Sequence, residues 1–366
     1  MPQRVRAAAG ILILAAAPAC GGQPVAAPSD RSQLTPVSAT AEWPASTPDN
    51  QGINSQSLRD LVGRINRGAY GAVSSLLIVR HGQLVVEEYF GWSASRAHTV
   101  QSVTKSVTSL ITGMAIDRRT LSTADRAIDF FPAYRPIANL DDRKRSITVA
   151  DLLTMRTGLD WSESTYPGSP LQQLNDCGCD WIRFVLDWPM REPPGTRWEY
   201  VSGGVILLGA IVGAATGQRI DLFAAEQLFA PLGMESVSWY QGLPNGLPHS
   251  GGGLNLRPRD MAKIGQLVLD GGRWRGTQVV SEGWIRESTQ PRLTNVRSFG
   301  AYPADYGYLW WTLPRGVITA SGAQGQWIFV VPAAELIVVV TGETDANFLS
   351  GPDLLYGQVL PAAGLA

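Results

Sequence analysis

Histidine and cysteine are scarce in this chain, and motifs that need histidine in clusters are missing. Each residue type occurs three times in 366 residues, and His81, His98 and His249 stand singly, without H-x-H or H-E-x-x-H spacing. A zinc hydrolase requires clustered ligands, so the sequence predicts no metal site. No G-x-S-x-G motif occurs either, which excludes an esterase built on a nucleophile elbow.

Lysine is equally scarce, because most of the basic residues are arginine. Lys144 and Lys263 each follow an aspartate by three residues, whereas Lys105 follows Ser102 at that spacing. A lysine beside a potential nucleophile therefore counts for more here than in a lysine-rich protein. Thirty basic residues balance 31 acidic ones, for a net charge of −1. This balance gives no electrostatic reason to expect nucleic acid or an anionic membrane surface as a partner.

The first 19 residues have the pattern of a signal peptide. Arg4 and Arg6 precede the apolar run 7–19, which is too short to span a bilayer. The small residues before Cys20 resemble a bacterial lipoprotein box. We therefore predict an exported protein, periplasmic or at the cell surface, that is lipidated at Cys20 and meets the membrane only through this anchor. Plain cleavage after Ala19 is the alternative.

Cys177 and Cys179 then remain as an even pair in an oxidising compartment. They form either a disulfide that closes a tight C-x-C loop or two free thiols in a surface loop. Neither cysteine has a histidine near it in the sequence, so we assign no catalytic role to the pair.

The chain divides into a tether and one folded domain. Residues 20–50 are rich in Pro, Ser, Thr and Ala, which is typical of an extended tether. In the domain, residues 51–366, an early hairpin pattern and late strand-like runs enclose a mostly helical stretch, about 119–300. Strands and helices do not alternate, and the late strands are joined by hairpin-length gaps. We therefore predict an α+β fold with an antiparallel sheet, a helical insertion and a cleft between them.

Ser102 and Lys105 form an S-x-x-K motif at the start of an amphipathic helix pattern, 102–118. Positions three apart face the same side of a helix. A serine hydroxyl becomes a nucleophile when a base takes its proton, and a neutral lysine amine is such a base. The N–H groups at a helix N-terminus also favour an oxyanion beside Ser102. The alternative is an N-capping serine with a surface lysine.

Two further stretches carry residue types that suit the same chemistry. Tyr200, two residues before Ser202, offers a phenol that could pass a proton to or from a lysine. The strand pattern 318–326 contains Ser321 and Gly322, whose small side chains would let a substrate lie along the strand and face a backbone N–H. Taken singly, the tyrosine is more typical of packing, and the strand end is a weak signal.

In this order, the three elements resemble those of the class C β-lactamase and penicillin-binding-protein-like serine hydrolases, namely an S-x-x-K, a Y-x-N/S and a K-T-G-like strand. The resemblance runs over about 43–342 and includes the stretches SVTKSVTSLITGMAID, ITVADLLTMRTGLDW, EPPGTRWEYVSGG, GGGLNLRPRDMAKIGQLVLDGG and GQWIFVVPAAELIVVVTG. The chain looks closest to the branch that contains aminohexanoate-oligomer hydrolases and related esterases. The resemblance implies a β-lactamase/transpeptidase-like fold, in which N- and C-terminal helices flank the sheet.

By position, the resemblance implies Ser102 as the nucleophile, Lys105 as its base and Tyr200 as the proton partner. The backbone N–H groups of Ser102 and Ala323 would form the oxyanion hole. Further candidates for substrate binding share a place beside these elements: Ser202, His249, Ser321 and Gly322. The resemblance implies no metal or organic cofactor, and the partner would be a small ester or amide substrate.

The third element departs from the family pattern. Ala320-Ser321-Gly322 stands where K-T-G is expected, and neither lysine nor histidine occurs after Lys263. A cation there would bind the carboxylate of a β-lactam or of a peptidoglycan stem peptide. We therefore expect a serine hydrolase that cleaves an uncharged or amine-bearing ester or small amide through an acyl-enzyme. The alternatives are a β-lactamase or D-Ala-D-Ala carboxypeptidase in which Arg257, Arg259 or Arg315 replaces the cation, and a non-catalytic binding or scaffold protein that keeps the fold.

Overall fold

A computed structural model describes residues 33–163, 168–242, 245–344 and 346–365. The predicted signal peptide, residues 1–19, and the predicted lipidation site Cys20 lie outside the described residues. Across these ranges, no single helix is both long and apolar enough to cross a bilayer. Two neighbouring helices, Ser202–Thr216 and Ile220–Phe229, pass that test only as a pair, with a bend of 74° between them.

Helices dominate the middle of the chain and also stand at both of its ends. The α-helices are α1 (Ser55–Asn66), α2 (Val103–Asp117), α3 (Asp142–Arg145), α4 (Val149–Leu153), α5 (Pro170–Asp176), α6 (Trp181–Asp187), α7 (Ser202–Thr216), α8 (Ile220–Ala224), α9 (Pro258–Leu269), α10 (Glu282–Thr289), α11 (Ala346–Leu354) and α12 (Leu360–Ala362). Short 3-10 turns lie at Asp49–Gln51, Ala127–Phe130, Pro132–Tyr134, Pro314–Gly316, Ala323–Gly325 and Pro332–Ala334, and π-helical turns at Ala225–Phe229 and Leu355–Val359.

Local sequence explains where several of these helices begin. Asn54 accepts a hydrogen bond from the Ser57 N–H at the start of α1. Thr148 and Asp151 form a reciprocal capping box at the start of α4. The Asp180 carboxylate caps α6 by accepting from the Ile182 and Arg183 N–H groups. Such side chains satisfy backbone N–H groups that have no acceptor inside the helix.

Most of the strands lie towards the end of the chain. They are β1 (Val73–Arg80), β2 (Gln83–Tyr89), β3 (His98–Thr99), β4 (Ser238–Trp239), β5 (Gln241–Gly242), β6 (Leu247–Pro248), β7 (Leu254–Leu256), β8 (Arg273–Trp274), β9 (Thr277–Gln278), β10 (Leu293–Phe299), β11 (Tyr302–Tyr306), β12 (Trp311–Leu313), β13 (Val317–Gly322), β14 (Gln326–Val331) and β15 (Leu336–Gly342).

Eight of these strands form one antiparallel sheet in the order β10-β11-β12-β13-β14-β15-β1-β2. The early hairpin therefore joins the late strands through the pairing of β1 with β15, where Ile78 lies opposite Val338. The predicted α+β class and antiparallel sheet are confirmed. The long connection between β2 and β10 carries the helical part of the molecule.

Helices cover both faces of the sheet. Helix α9 packs against β14, β15 and β1. A Cβ atom at Gly265 of α9 would lie only 2.7 Å from Ile337, so glycine is required for this close approach. On the other face of β14, Trp327 contacts Gly351 of α11. Strands buried on both faces carry near-continuous apolar runs rather than an alternating pattern, as β14 does after Gln326 and β15 does before Thr341.

The helical insertion is narrower than the predicted range of 119–300. Helix α9 falls inside that range but belongs to the layer that covers the sheet. Strand β10 also falls inside it and forms one edge of the sheet. Its sequence, LTNVRSF, lacks a run of apolar residues because most of its side chains are exposed. The composition of an edge strand of this kind does not distinguish it from a loop.

Cys177 and Cys179 are joined by a disulfide with an S–S distance of 2.05 Å. Of the two alternatives that the sequence left open, the structure therefore has the bonded pair. The bridge lies between α5 and α6, in an exposed part of the insertion.

Residues 33–47 were predicted as part of an extended tether, but they lie against the domain, and we call them the N-terminal strap. Ala45 forms a parallel bridge with Leu84 of β2. Trp43 is 2% exposed and packs edge-on against Trp274, with ring centroids 5.7 Å apart. Burying an aromatic ring of this size stabilises the packed position by about 2 kcal/mol, which a solvated tether would not gain.

Glu42 attaches the N-terminal strap to α9 through opposite charges. Its carboxylate accepts hydrogen bonds from Arg257 Nη2 at 2.7 Å, Lys263 Nζ at 3.0 Å and Arg259 Nη1 at 3.2 Å. Burial alone would raise the pKa of Glu42, but the hydrogen bonds and charges of Lys263 and Arg257 lower that pKa to about 2. The carboxylate is therefore ionised at neutral pH.

The Glu42→Gln substitution is expected to lower the free energy of unfolding by about 2 kcal/mol at neutral pH, because it leaves Arg257 and Lys263 short of a counter-charge. The folded pKa lies below the ordinary value of 4.5, so this contribution is complete above about pH 4.5. It is lost as the pH falls towards about 2. Urea unfolding of both proteins at neutral pH and at about pH 3 measures the difference.

The matched control is Asp129→Asn, which removes an exposed ion pair with Arg126. Exposed pairs of this kind contribute less than about 1 kcal/mol, so this variant is expected to unfold like the wild type. A Glu42→Gln deficit that is as large at about pH 3 as at neutral pH would contradict the assignment of the stabilisation to the ionised carboxylate.

Candidate active site

Helix α2 packs on both β13 of the sheet and α7 of the insertion, so its first residues lie where the two parts meet. Ser102 is the N-cap residue of α2, but its side chain does not make the usual capping hydrogen bond. The nearby Thr104 hydroxyl donates to the Gln101 carbonyl at 2.6 Å and does not contact Ser102 through this bond. The Ser102 hydroxyl is therefore left to other partners.

Lys105 provides that partner from the same face of the helix. Its Nζ donates to Ser102 Oγ at 2.9 Å and to the Gly251 carbonyl at 2.5 Å. The lysine is only 2% exposed; its contact with Gly251 is buried, whereas its contact with Ser102 is partly buried. The arrangement differs from the alternative of a capping serine with a surface lysine, because the serine does not cap and the lysine is buried.

Tyr200 lies beside this pair, just before α7 begins. Lys105 Nζ is 4.7 Å from the centroid of the Tyr200 ring. On its other side the ring stacks on Trp311 of β12, with an interplanar angle of 16° and centroids 6.2 Å apart. The structure thus brings together Ser102, Lys105 and Tyr200 from two segments almost 100 residues apart.

The end of β13 lies against the start of α2. A Cβ atom at Gly322 would lie 2.4 Å from the Val100 carbonyl and 3.0 Å from the Ser102 nitrogen, so only glycine fits. Ala323 follows directly and begins a 3-10 turn. Ser321, directly before Gly322, is buried and lies opposite Trp327 in the pairing of β13 with β14. The predicted third element is therefore adjacent to the backbone of Ser102.

Ser202 is buried, and its hydroxyl forms a hydrogen bond with Glu163. It donates to Glu163 Oε2 at 2.9 Å, and the Ser202 N–H donates to Glu163 Oε1 at 2.6 Å. Trp161 Nε1 donates to Oε1 at 2.7 Å. Glu163 is not predicted by the sequence, because 39 residues separate it from Ser202 and no motif marks it.

His249 lies against the loop that receives Lys105. Its ring contacts Gly251 and packs edge-on against Trp181, with centroids 5.1 Å apart. Burial, and then the positive charge of Lys105, lower the pKa of His249 to about 4. The imidazole is therefore neutral near pH 7. Its buried Nδ1 makes no hydrogen bond with the part of the chain that the structure describes.

The three arginines considered as replacements for the missing cation all have other partners. Arg257 and Arg259 belong to the ion network around Glu42. Arg315 donates to the Leu365 carbonyl at 2.7 Å, at the end of β13 opposite Gly322. Over the described ranges, no group of three or more His, Cys, Asp and Glu side chains is arranged to hold a metal ion.

Comparison with known proteins places this arrangement in a family. The family model described as Beta-lactamase matches residues 58–350. The chain is 23% identical over 326 residues to 6-aminohexanoate-dimer hydrolase of Paenarthrobacter ureafaciens, covering 84% of this chain and 82% of that protein. It is 27% identical over 219 residues to esterase EstB of Burkholderia gladioli, covering 54% of this chain and 55% of that protein.

A solved structure has the same fold. EstCE1, described as a hydrolase with promiscuous acyltransferase activity, superposes with a TM-score of 0.71 at 17% sequence identity. The superposition covers 88% of this chain and 100% of that chain. The predicted family resemblance is confirmed, because the matched range spans the candidate site from Ser102 to Ala323. The chain is therefore an enzyme of the serine hydrolase type and belongs to the beta-lactamase family.

Proposed function

We propose that this enzyme cleaves an uncharged or amine-bearing ester or small amide through an acyl-enzyme on Ser102. The observation that carries the proposal is the 2.9 Å hydrogen bond between Lys105 Nζ and Ser102 Oγ. It puts a base within proton-transfer distance of a hydroxyl that no capping contact occupies. The esterase and aminohexanoate-dimer hydrolase relatives support the same class of substrate.

In the first half-reaction, Ser102 Oγ forms a bond to the carbonyl carbon of the substrate. Its proton passes to the amine of Lys105, the proposed base in this step, whose Nζ lies 2.9 Å from Ser102 Oγ. The bond from the carbonyl carbon to the leaving oxygen or nitrogen then breaks. Tyr200, next to Lys105, is proposed to relay that proton to the leaving group.

In the second half-reaction, a water oxygen bonds to the acyl carbon and gives up one proton through the same Tyr200 and Lys105 pair. The bond between the acyl carbon and Ser102 Oγ breaks, and the proton returns to the serine. The products are a carboxylic acid and the original enzyme. Each step transfers one proton and exchanges one bond at carbon, so no cofactor is needed for balance.

The oxyanion in both half-reactions is proposed to bind the N–H groups of Ser102 and Ala323. The fit of Gly322 against the Ser102 nitrogen supports this assignment, because it brings the end of β13 to the helix start. Preorganised N–H donors of this kind typically contribute about 3 kcal/mol of transition-state stabilisation each. The helix N-terminus adds its partial positive charge on the same side.

The charged groups around the site are proposed to favour substrates without a negative charge. Ala320-Ser321-Gly322 offers no cation for a substrate carboxylate, and the arginines considered as substitutes are bound to other partners. Glu163 adds a carboxylate beside Ser202. An anionic substrate would therefore lose a charge-assisted contact that penicillin-type enzymes provide and would meet a like charge.

The first prediction concerns the nucleophile. A fluorophosphonate should form one bond from phosphorus to Ser102 Oγ with loss of fluoride, giving a single adduct in intact-mass spectra. We expect no adduct in Ser102→Ala. The control is Ser106→Ala, one turn further along α2, whose buried hydroxyl donates to the Leu309 carbonyl. It should be labelled like the wild type. An adduct that persists in Ser102→Ala would contradict the assignment.

The second prediction concerns the base. Lys105→Met keeps the length and packing of the side chain but removes the amine. We expect kcat on a p-nitrophenyl ester to fall by at least about 100-fold, because proton removal from Ser102 loses its acceptor. Thermal unfolding of the same sample confirms that the variant is folded. Turnover within about threefold of the wild type would rule out Lys105 as the base.

The third prediction concerns substrate charge, tested with a matched pair of p-nitrophenyl esters. One has a neutral acyl chain and the other has a chain of the same length that ends in a carboxylate. We expect kcat/KM to favour the neutral ester by at least about tenfold, and cephalosporin hydrolysis to be correspondingly poor. Equal turnover of the two esters, or ordinary cephalosporin turnover, would favour the β-lactamase alternative.

A further inference from the structure

Helix α7 is capped by a residue that lies outside it. Its own N-cap residue, Val201, has an apolar side chain and makes no capping hydrogen bond. Glu163 supplies the acceptors instead, one oxygen for the Ser202 N–H and the other for the Ser202 hydroxyl. Trp161 holds the carboxylate through its indole N–H. A negative charge at this end also suits the positive pole of the helix.

This distant cap acts on the chain just after Tyr200. The chain just before Tyr200 is fixed as well, because the Glu199 N–H donates to the Met155 carbonyl at 3.0 Å. Between these two anchors the Tyr200 ring stacks on Trp311 and faces Lys105 Nζ. Loss of the second anchor would free the first turn of α7 and widen the range of positions open to the ring.

The contact between Glu163 and Ser202 also affects Lys105 through the Gly251 loop. Ser202 lies against Gly251, whose carbonyl accepts the hydrogen bond from Lys105. The Glu163 carboxylate therefore holds a serine that packs directly on one of the acceptors of the buried amine. Through Ser202, Glu163 therefore supports the position of Tyr200 on one side and of the Gly251 carbonyl, an acceptor of Lys105, on the other.

We propose that Glu163 is a positioning residue of the hydrolytic reaction. It caps α7 and thereby holds Tyr200 against Lys105, and it supports the Gly251 loop through Ser202. This role rests on the proposed function, and it assigns Glu163 no proton transfer and no bond to the substrate. This role requires an acceptor oxygen at the end of a side chain as long as that of glutamate, because the cap consists of hydrogen bonds from Ser202 to the Glu163 oxygens.

Two substitutions of Glu163 separate this role from a general effect of charge. Glu163→Ala removes both acceptor oxygens, and we expect kcat on a neutral p-nitrophenyl ester to fall about 10- to 100-fold with KM changed by less than about threefold. Glu163→Gln keeps one acceptor oxygen for the Ser202 N–H, so its kcat should stay within about fivefold of the wild type. The rate of fluorophosphonate labelling should follow kcat.

The matched control is Asp141→Ala. Asp141 caps α3 by accepting from the Lys144 N–H at 2.9 Å, so this variant also loses a helix cap in the insertion. We expect its melting temperature to fall but its kcat to stay within about twofold of the wild type. If Glu163→Ala does not fold, Ser202→Ala provides the second test. It loses one of the two cap contacts and should lower kcat severalfold.

Three outcomes would overturn the proposal alone, given a wild type that is labelled at Ser102. The first is unchanged kcat and labelling in folded Glu163→Ala. The second is a loss in Glu163→Gln as large as in Glu163→Ala, and the third is an equal loss in Asp141→Ala. A folded wild type with no Ser102 adduct would overturn the proposed function itself, and the positioning role with it.

Discussion

A lysine amine that is 2% exposed must find its hydrogen-bond acceptors inside the protein, and this requirement arranges the candidate active site. Lys105 takes one acceptor, Ser102 Oγ, from its own helix and another, the Gly251 carbonyl, from a loop almost 150 residues away. The Tyr200 ring covers a further side of the amine. A shift of α2 relative to the glycine loop would remove one of the two acceptors of this buried amine.

The path of the chain makes this convergence possible. Strands β1 and β2 complete a sheet whose other strands come from the last quarter of the chain, and α2 follows them after the short strand β3. The helical insertion lies between β2 and β10 in the sequence, and its helix α7 packs on α2. Strand β13 of the sheet ends at Gly322, next to the Ser102 nitrogen. The site is therefore assembled from the seam between two layers, and neither layer contains it alone.

The parts of the molecule that the sequence predicts well are those whose signal is local. The spacing of Ser102 and Lys105 needs only one helical turn, and the apolar runs of β14 and β15 report their burial directly. Glu163 could not be found in this way, because its partner Ser202 is 39 residues distant and the contact exists only in the folded chain.

The N-terminal strap escaped prediction for the same physical reason. Its composition of Pro, Ser and Thr is that of a tether, and its contacts with distant residues exist only in the folded chain. Trp43 is buried against Trp274, and Glu42 pairs with Lys263, 221 residues further on. A single charged residue in a polar stretch carries no sign of such a distant partner, so composition alone assigned the segment to solvent.

The pairing of the N-terminal strap with β2 has a consequence for how the sheet ends. Strand β2 is the edge strand of the eight-stranded sheet, next to β1. The N-terminal strap forms two hydrogen bonds with Leu84 of β2: the Ser46 N–H donates to the Leu84 carbonyl at 3.1 Å, and the Leu84 N–H donates to the Pro44 carbonyl at 2.9 Å. An uncovered edge strand offers its N–H and C=O groups to other chains, which is a common origin of aggregation. A recombinant fragment that began at residue 51 would expose this edge and would self-associate more readily than one that began at residue 33.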